Sequence, residues 1–167
     1  MSSKLYLAYN GPMVTTAAPV KVTTGTVIKT LEQLTPPANG AIEVIEWGIS
    51  FDGFAAAQPG ACELVETGAI NATVTAFVAN DIMRYGQAGG DASRITLGTA
   101  NSGYTASAEG TITASRQLDL QLLPPTAPYI HQFPLERGPQ IQASNFGRVR
   151  VTFGTAINAL CYVIWQE

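Results

Sequence analysis

Any chemistry in this chain would have to come from one histidine, two cysteines and a modest set of carboxylates. Metal or general acid–base catalysis needs clustered ligands or paired titratable groups. His131 stands between Ile130 and Gln132, with prolines at 128 and 134, and no motif partner is near in sequence. A lone imidazole of that kind reads as a structural or surface residue. The serines lack a G-x-S-x-G context, and a triad would have to recruit the same histidine. Glu43, Glu46 and Asp52 share one stretch, and with Glu63 and Glu66 they could supply a two-carboxylate glycosidase pair. Acidic residues on the solvated face of a sheet account for them more simply. Cys62 and Cys161 sit in strand-like runs outside any nucleophile motif and read as buried small hydrophobes. A disulfide between them would require neighbouring strands, and that question stays open. Gly89-Gly90-Asp91 is a loop apex with no helix after it, hence no phosphate cradle. Asn71-Ala72-Thr73 matches the glycosylation sequon, a triplet common by chance. These residues predict a non-enzymatic protein without a cofactor or a metal.

The elements that would position them are strands. Residues 41–53, AIEVIEWGISFDG, organise the rest. Ile45, Trp47, Ile49 and Phe51 alternate with Glu46, Gly48, Ser50 and Asp52, the period of a half-buried strand. Ile42 and Val44 fall on the opposite parity, so the apolar face changes sides between Val44 and Ile45. A β-bulge or a sheet corner there would produce that change. Further strands are expected at Leu5–Tyr9, Thr26–Leu31, Cys62–Glu66, Ala72–Ala79, Arg94–Leu97, Arg148–Phe153 and Ala159–Trp165. Within Ala72–Ala79, Val74, Ala76 and Val78 are expected to share a face. Arg116–Leu123 fits either a strand or one helical turn. Turn signals punctuate the chain at Asn10-Gly11-Pro12, Pro36-Pro37-Ala38-Asn39-Gly40 and Pro59-Gly60. Phe54–Gly60, Asn80–Ser93 and Ala100–Gly110 read as loops, the first with room for one helical turn.

Eight to ten short strands with Gly/Pro turns and almost no helical periodicity predict an all-β fold, a single antiparallel β-sandwich, jelly-roll-like, over residues 1–167. An immunoglobulin-like sandwich is the second choice, and residues 1–14 are a candidate N-terminal arm. At 167 residues one domain can bury a sizeable core without staples. Only 13% of the residues are charged, about half the usual share near 25%. A surface so poor in charge points toward oligomerisation or embedding in an assembly. The net charge of −3 argues against a nucleic-acid partner. No stretch approaches the ~18 apolar residues of a membrane helix, and the N-terminus does not read as a signal peptide.

Two groups of residues are candidates for contact. Ala159–Trp165 is apolar on both parities, which sets Leu160, Tyr162 and Ile164 on a face that a second subunit could bury. Those three are the predicted subunit interface. The rival expectation is a central strand covered on its second face by the Asn80–Ser93 loop. Tyr6, Tyr9, Tyr85, Tyr104, Tyr129 and Phe133 lie in or near loops and ends, and could anchor a glycan or a partner.

The phrases KLYLAYNGP, IEVIEWGISFDG, ELVETG, GYTASAEGTITASR and RVRVTFGTAINALCYVIWQE together resemble a family of small uncharacterised β-proteins from actinobacteriophages and phage-like genomic regions. The resemblance spans nearly the whole chain and is carried by structural rather than chemical motifs, so no functional residue comes with it. It implies a virion structural protein, a capsid decoration or cement protein at the capsid surface, assembled in the host cytoplasm. Its partner would be the major capsid protein, and the state would be a homotrimer. The alternative is a receptor- or glycan-binding module of a tail or cell surface.

Overall fold

The computed structural model describes residues 4–13, 16–54, 58–86, 89–134 and 136–167. In chain order the strands are β1 (Leu5–Tyr9), β2 (Val22–Thr23), β3 (Lys29–Leu34), β4 (Ile42–Phe51), β5 (Gly60–Thr67), β6 (Thr73–Ala76) and β7 (Met83–Tyr85). They continue as β8 (Gly103–Ala108), β9 (Ser115–Leu123), β10 (Tyr129–Gln132), β11 (Gln140–Ile141), β12 (Phe146–Thr152) and β13 (Asn158–Gln166). One 3-10 turn, Ala79–Asp81, precedes β7.

The strands make two antiparallel sheets packed face to face. The first runs β10-β4-β13-β1-β7, with β11 also on β4 and β2 on β13. The second runs β6-β8-β3-β12-β5-β9. Most connections carry the chain from one sheet to the other, and the all-β antiparallel sandwich expected from the strand pattern is the fold. Between the sheets lie Trp47, Ile49, Leu64, Val149, Val151, Phe153, Cys161, Val163 and Trp165, all essentially buried.

Three bulges set which side chains reach that core. On β4, Glu46 faces Ile164 and Val44 faces Trp165, leaving Ile45 unpaired. The parity change read from the sequence is this bulge. Ile42 and Val44 before it and Trp47 and Ile49 after it all point inward. On β3, Val149 faces Glu32 and Arg150 faces Thr30, so Leu31 is the extra residue and joins the core. On β9, Leu64 faces Asp119 and Val65 faces Gln117, so Leu118 is extra and packs on the core.

The strand expected at Leu5–Tyr9 is β1, an inner strand between β13 and β7. Several other expectations are corrected. The strand expected at Thr26–Leu31 starts and ends three residues later. Asn80–Ser93 is not all loop, because β7 pairs with β1 there, and β8 lies within the supposed loop Ala100–Gly110. Arg94–Leu97 forms only an isolated bridge, from Leu97 to Ser102. The chain leaves β6 after Ala76, so Phe77 turns into the core while Val78 is exposed, against the expected alternation. Residues 55–57 of the Phe54–Gly60 loop lie outside the described residues.

Candidate functional site

β13 is the middle strand of the first sheet, and its alternation sends Ala159, Cys161, Val163 and Trp165 inward. Leu160, Tyr162 and Ile164 lie on the outer face, as expected for a contact surface, but the structure divides them. Ile164 is only 4% exposed, buried within the chain between Leu7 of β1 and Glu46 of β4. Tyr162 is half-buried and lies over Gly48, with its hydroxyl donating to Glu46 Oε1 at 2.5 Å. Burial, and then the Glu46 carboxylate, push the Tyr162 phenol well above its ordinary pKa, so it stays a donor. Leu160 alone is substantially exposed, at 38%.

Around Leu160 the outer face is apolar. A groove of about 350 Å³ is lined by Pro19, Val20, Phe51 and Leu160 among others. A second, of about 320 Å³, is lined by Tyr9, Pro12, Met13, Val20, Met83 and Leu160. Leu160 and Val20 border both, and Val20 is 57% exposed. Sequence reading missed the part played by Met13, Pro19 and Val20, which come from an irregular segment without an alternating pattern. Leu120 and Leu122 on β9 and Ile130 on β10 are exposed as well, on different sheets.

The loop aromatics are mostly internal. Tyr6 is buried and stacked on Trp165, Tyr104 lies against Phe77, and Tyr129 meets Trp47 edge-on. Tyr9 and Tyr85 remain exposed.

The carboxylates proposed as an acid–base pair are divided between the sheets and engaged. Glu43 accepts from Gln166 Nε2 at 2.8 Å and from the Gly138 N–H at 3.0 Å. Glu63 pairs with Arg150 at 2.6 Å. Glu66 accepts from Arg116, from the Gln142 N–H and from Asn145. Asp52 is bonded by Lys21 and Asn158.

His131 is not a lone residue. Its Nδ1 lies 3.1 Å from Asp119 Oδ2 and 3.1 Å from the Tyr129 hydroxyl. The same Oδ2 accepts from Tyr129 at 2.9 Å and from Trp47 Nε1 at 3.1 Å, while Oδ1 accepts from Gln121. Asp119 belongs to the second sheet and the other three residues, apart from Gln121, to the first, so one carboxylate ties the sheets together. Burial, then the bond to Asp119, push the Tyr129 phenol up to about 12. A His–Asp pair can orient an imidazole for catalysis, but it must also address a nucleophile. Among the described residues the hydrogen-bonding partners of His131 are Tyr129 and Asp119. The cluster therefore works as a tie. The shared parity of Tyr129 and His131 was visible in the sequence, but Asp119 was not, because its inward direction depends on the Leu118 bulge.

On the outer face of the second sheet, Arg148 is fully buried, donating to the Glu109 and Ile70 carbonyls. Burial pulls its pKa down to about 10, which leaves it charged at neutral pH. Cys62 and Cys161 are free and buried, so no disulfide joins them. Burial raises both thiols, Cys62 to about 12. Among the described residues no group of three His, Cys, Asp or Glu side chains is placed to hold a metal ion. Among the described residues no helix is long and apolar enough to cross a membrane. Comparison with protein-family models, curated proteins and solved structures gave no match.

Proposed function

We propose that the protein is a non-enzymatic virion structural protein, a capsid decoration or cement protein that adheres to the major capsid protein and reinforces the shell. The observation that carries this is the apolar outer face around Leu160 and Val20, on a chain whose candidate catalytic groups are taken up in structural bonds. Exposed apolar surface of this kind is characteristic of a contact site. The low charged fraction and the resemblance to phage β-proteins support the same reading. Attachment at many equivalent sites would let modest contacts per subunit add up to a durable coat. A homotrimer at three-fold capsid positions suits this role, since closed symmetry is the usual way to cover such a patch.

Mass spectrometry of purified virions, with an electron-microscopy map of the particle, is the test. Cement predicts a copy number comparable with the major capsid protein and an outward density at local three-fold axes. A few copies per particle, or density along the tail, would refute it and favour the glycan-binding alternative. That alternative rests on exposed Tyr9 and Tyr85, and a glycan array with the isolated protein checks it directly.

A further inference from the structure

We propose that Glu32 is a proton-dependent latch between the two sheets: with its carboxyl protonated the sandwich is closed, and release of that proton as the pH rises loosens it. Glu32 lies on β3 beside the Leu31 bulge and is 1% exposed, with its carboxyl facing the buried Cys161 of the opposite sheet. Among the described residues its Oε1 has no hydrogen-bond partner, and Oε2 meets only the Cys161 Sγ across the sandwich, at 3.8 Å. A thiol is a weak donor and does not compensate a buried charge.

Among the described residues the groups around Glu32 offer no counter-ion. Cys161 approaches from β13, and Cys62 of β5 is near enough to Cys161 to raise its pKa further. Tyr104 and Val149 flank Glu32 in register from β8 and β12. The two cations of β12 are committed elsewhere, Arg148 to the Ile70 and Glu109 carbonyls and Arg150 to Glu63. Burial therefore holds the Glu32 carboxyl well above its ordinary value of 4.5, opposed only by the weak Cys161 contact. In the unfolded chain the group takes its ordinary value. Between that value and the raised one, the unfolded chain gives up a proton that the folded protein keeps. Stability from Glu32 is thus fully present below about pH 4.5 and is lost as pH rises toward the folded value.

Urea unfolding of wild type and Glu32→Gln across this range tests the latch. The ratio of the two folding constants, wild type over variant, should fall about tenfold per pH unit above pH 5. A constant ratio overturns the proposal. Should Glu32→Gln not fold, Glu32→Leu serves the same comparison. Independently, the carboxyl carbon of Glu32 in the wild-type protein should titrate with a midpoint above 4.5, and a midpoint at or below 4.5 overturns the proposal. At one alkaline pH, iodoacetamide should label Cys62 and Cys161 faster in wild type than in the variant, and equal rates count against the latch.

Discussion

The ring of Tyr162 rests on the bare backbone of Gly48, where a Cβ would stand 2.5 Å from Tyr162 Cε1. Only a glycine lets β4 and β13 keep the ring in that place with its hydroxyl on Glu46. Gly48→Ala should displace the ring, cost about 1–3 kcal/mol in chemical denaturation, and break the Tyr162–Glu46 bond. Tyr162→Phe keeps the packing and should cost about 1 kcal/mol, the net worth of the hydrogen bond. Equal losses from the two would mean that steric fit at Gly48 is unimportant.

Asp119 should be among the polar residues the sandwich tolerates losing least. Asp119→Ala strands the Trp47 indole N–H and the Tyr129 hydroxyl, at about 1–3 kcal/mol for each donor left without a partner. The change should also show in the tryptophan emission of the folded state. Asp119→Asn keeps an acceptor and should cost less.

The acid limb of stability should follow Glu66. Burial by itself would raise its pKa, but the bonds from Asn145, the Gln142 N–H and Arg116 together outweigh that and lower it below 4.5. A depressed carboxylate stabilises above its unfolded pKa, and the contribution is lost as pH falls through the folded one. Glu66→Gln should therefore flatten thermal stability below about pH 4.5 and leave the Glu32 effect, of opposite sign, untouched.

Subunit contact is best tested at Leu160 and Val20. Leu160→Asp with Val20→Asp should leave the strand pairing intact and give folded monomers by light scattering if the outer face is an interface. An unchanged mass would reject this face. Replacing Ile164 or Tyr162 tests something else, since Ile164 is internal and Tyr162 packs on Gly48.

Alternation made much of the fold legible. The strands β4, β12 and β13 announced themselves, and even the Ile45 bulge followed from a parity change between two apolar runs. The short strands β7 and β8 did not, because Met83–Tyr85 and Gly103–Ala108 are small, polar or too brief to show a period. Their pairing is set by neighbours distant in sequence. Of the exposed apolar outer face, only Leu160 was legible. Ile164 has the same pattern but is covered by the chain itself, and residue type does not distinguish the two. The Asp119–His131 tie escaped because it joins edge strands of different sheets, and Glu32 because TLEQL reads as an ordinary half-polar strand.

β13 follows the other described strands in chain order yet occupies the middle of its sheet, between β1 and β4. During translation, Leu5–Tyr9 and Ile42–Phe51 must wait until Gln166 has left the ribosome, roughly ten to thirty seconds at ordinary elongation rates for the earlier of them. Until then both offer unpaired edges that invite the wrong neighbour. A chain cut short anywhere before Asn158 lacks the strand that joins them, and β1 and β4 are then left without their shared neighbour. Strands far apart in the chain are in this way held to one sheet by a partner that follows both of them.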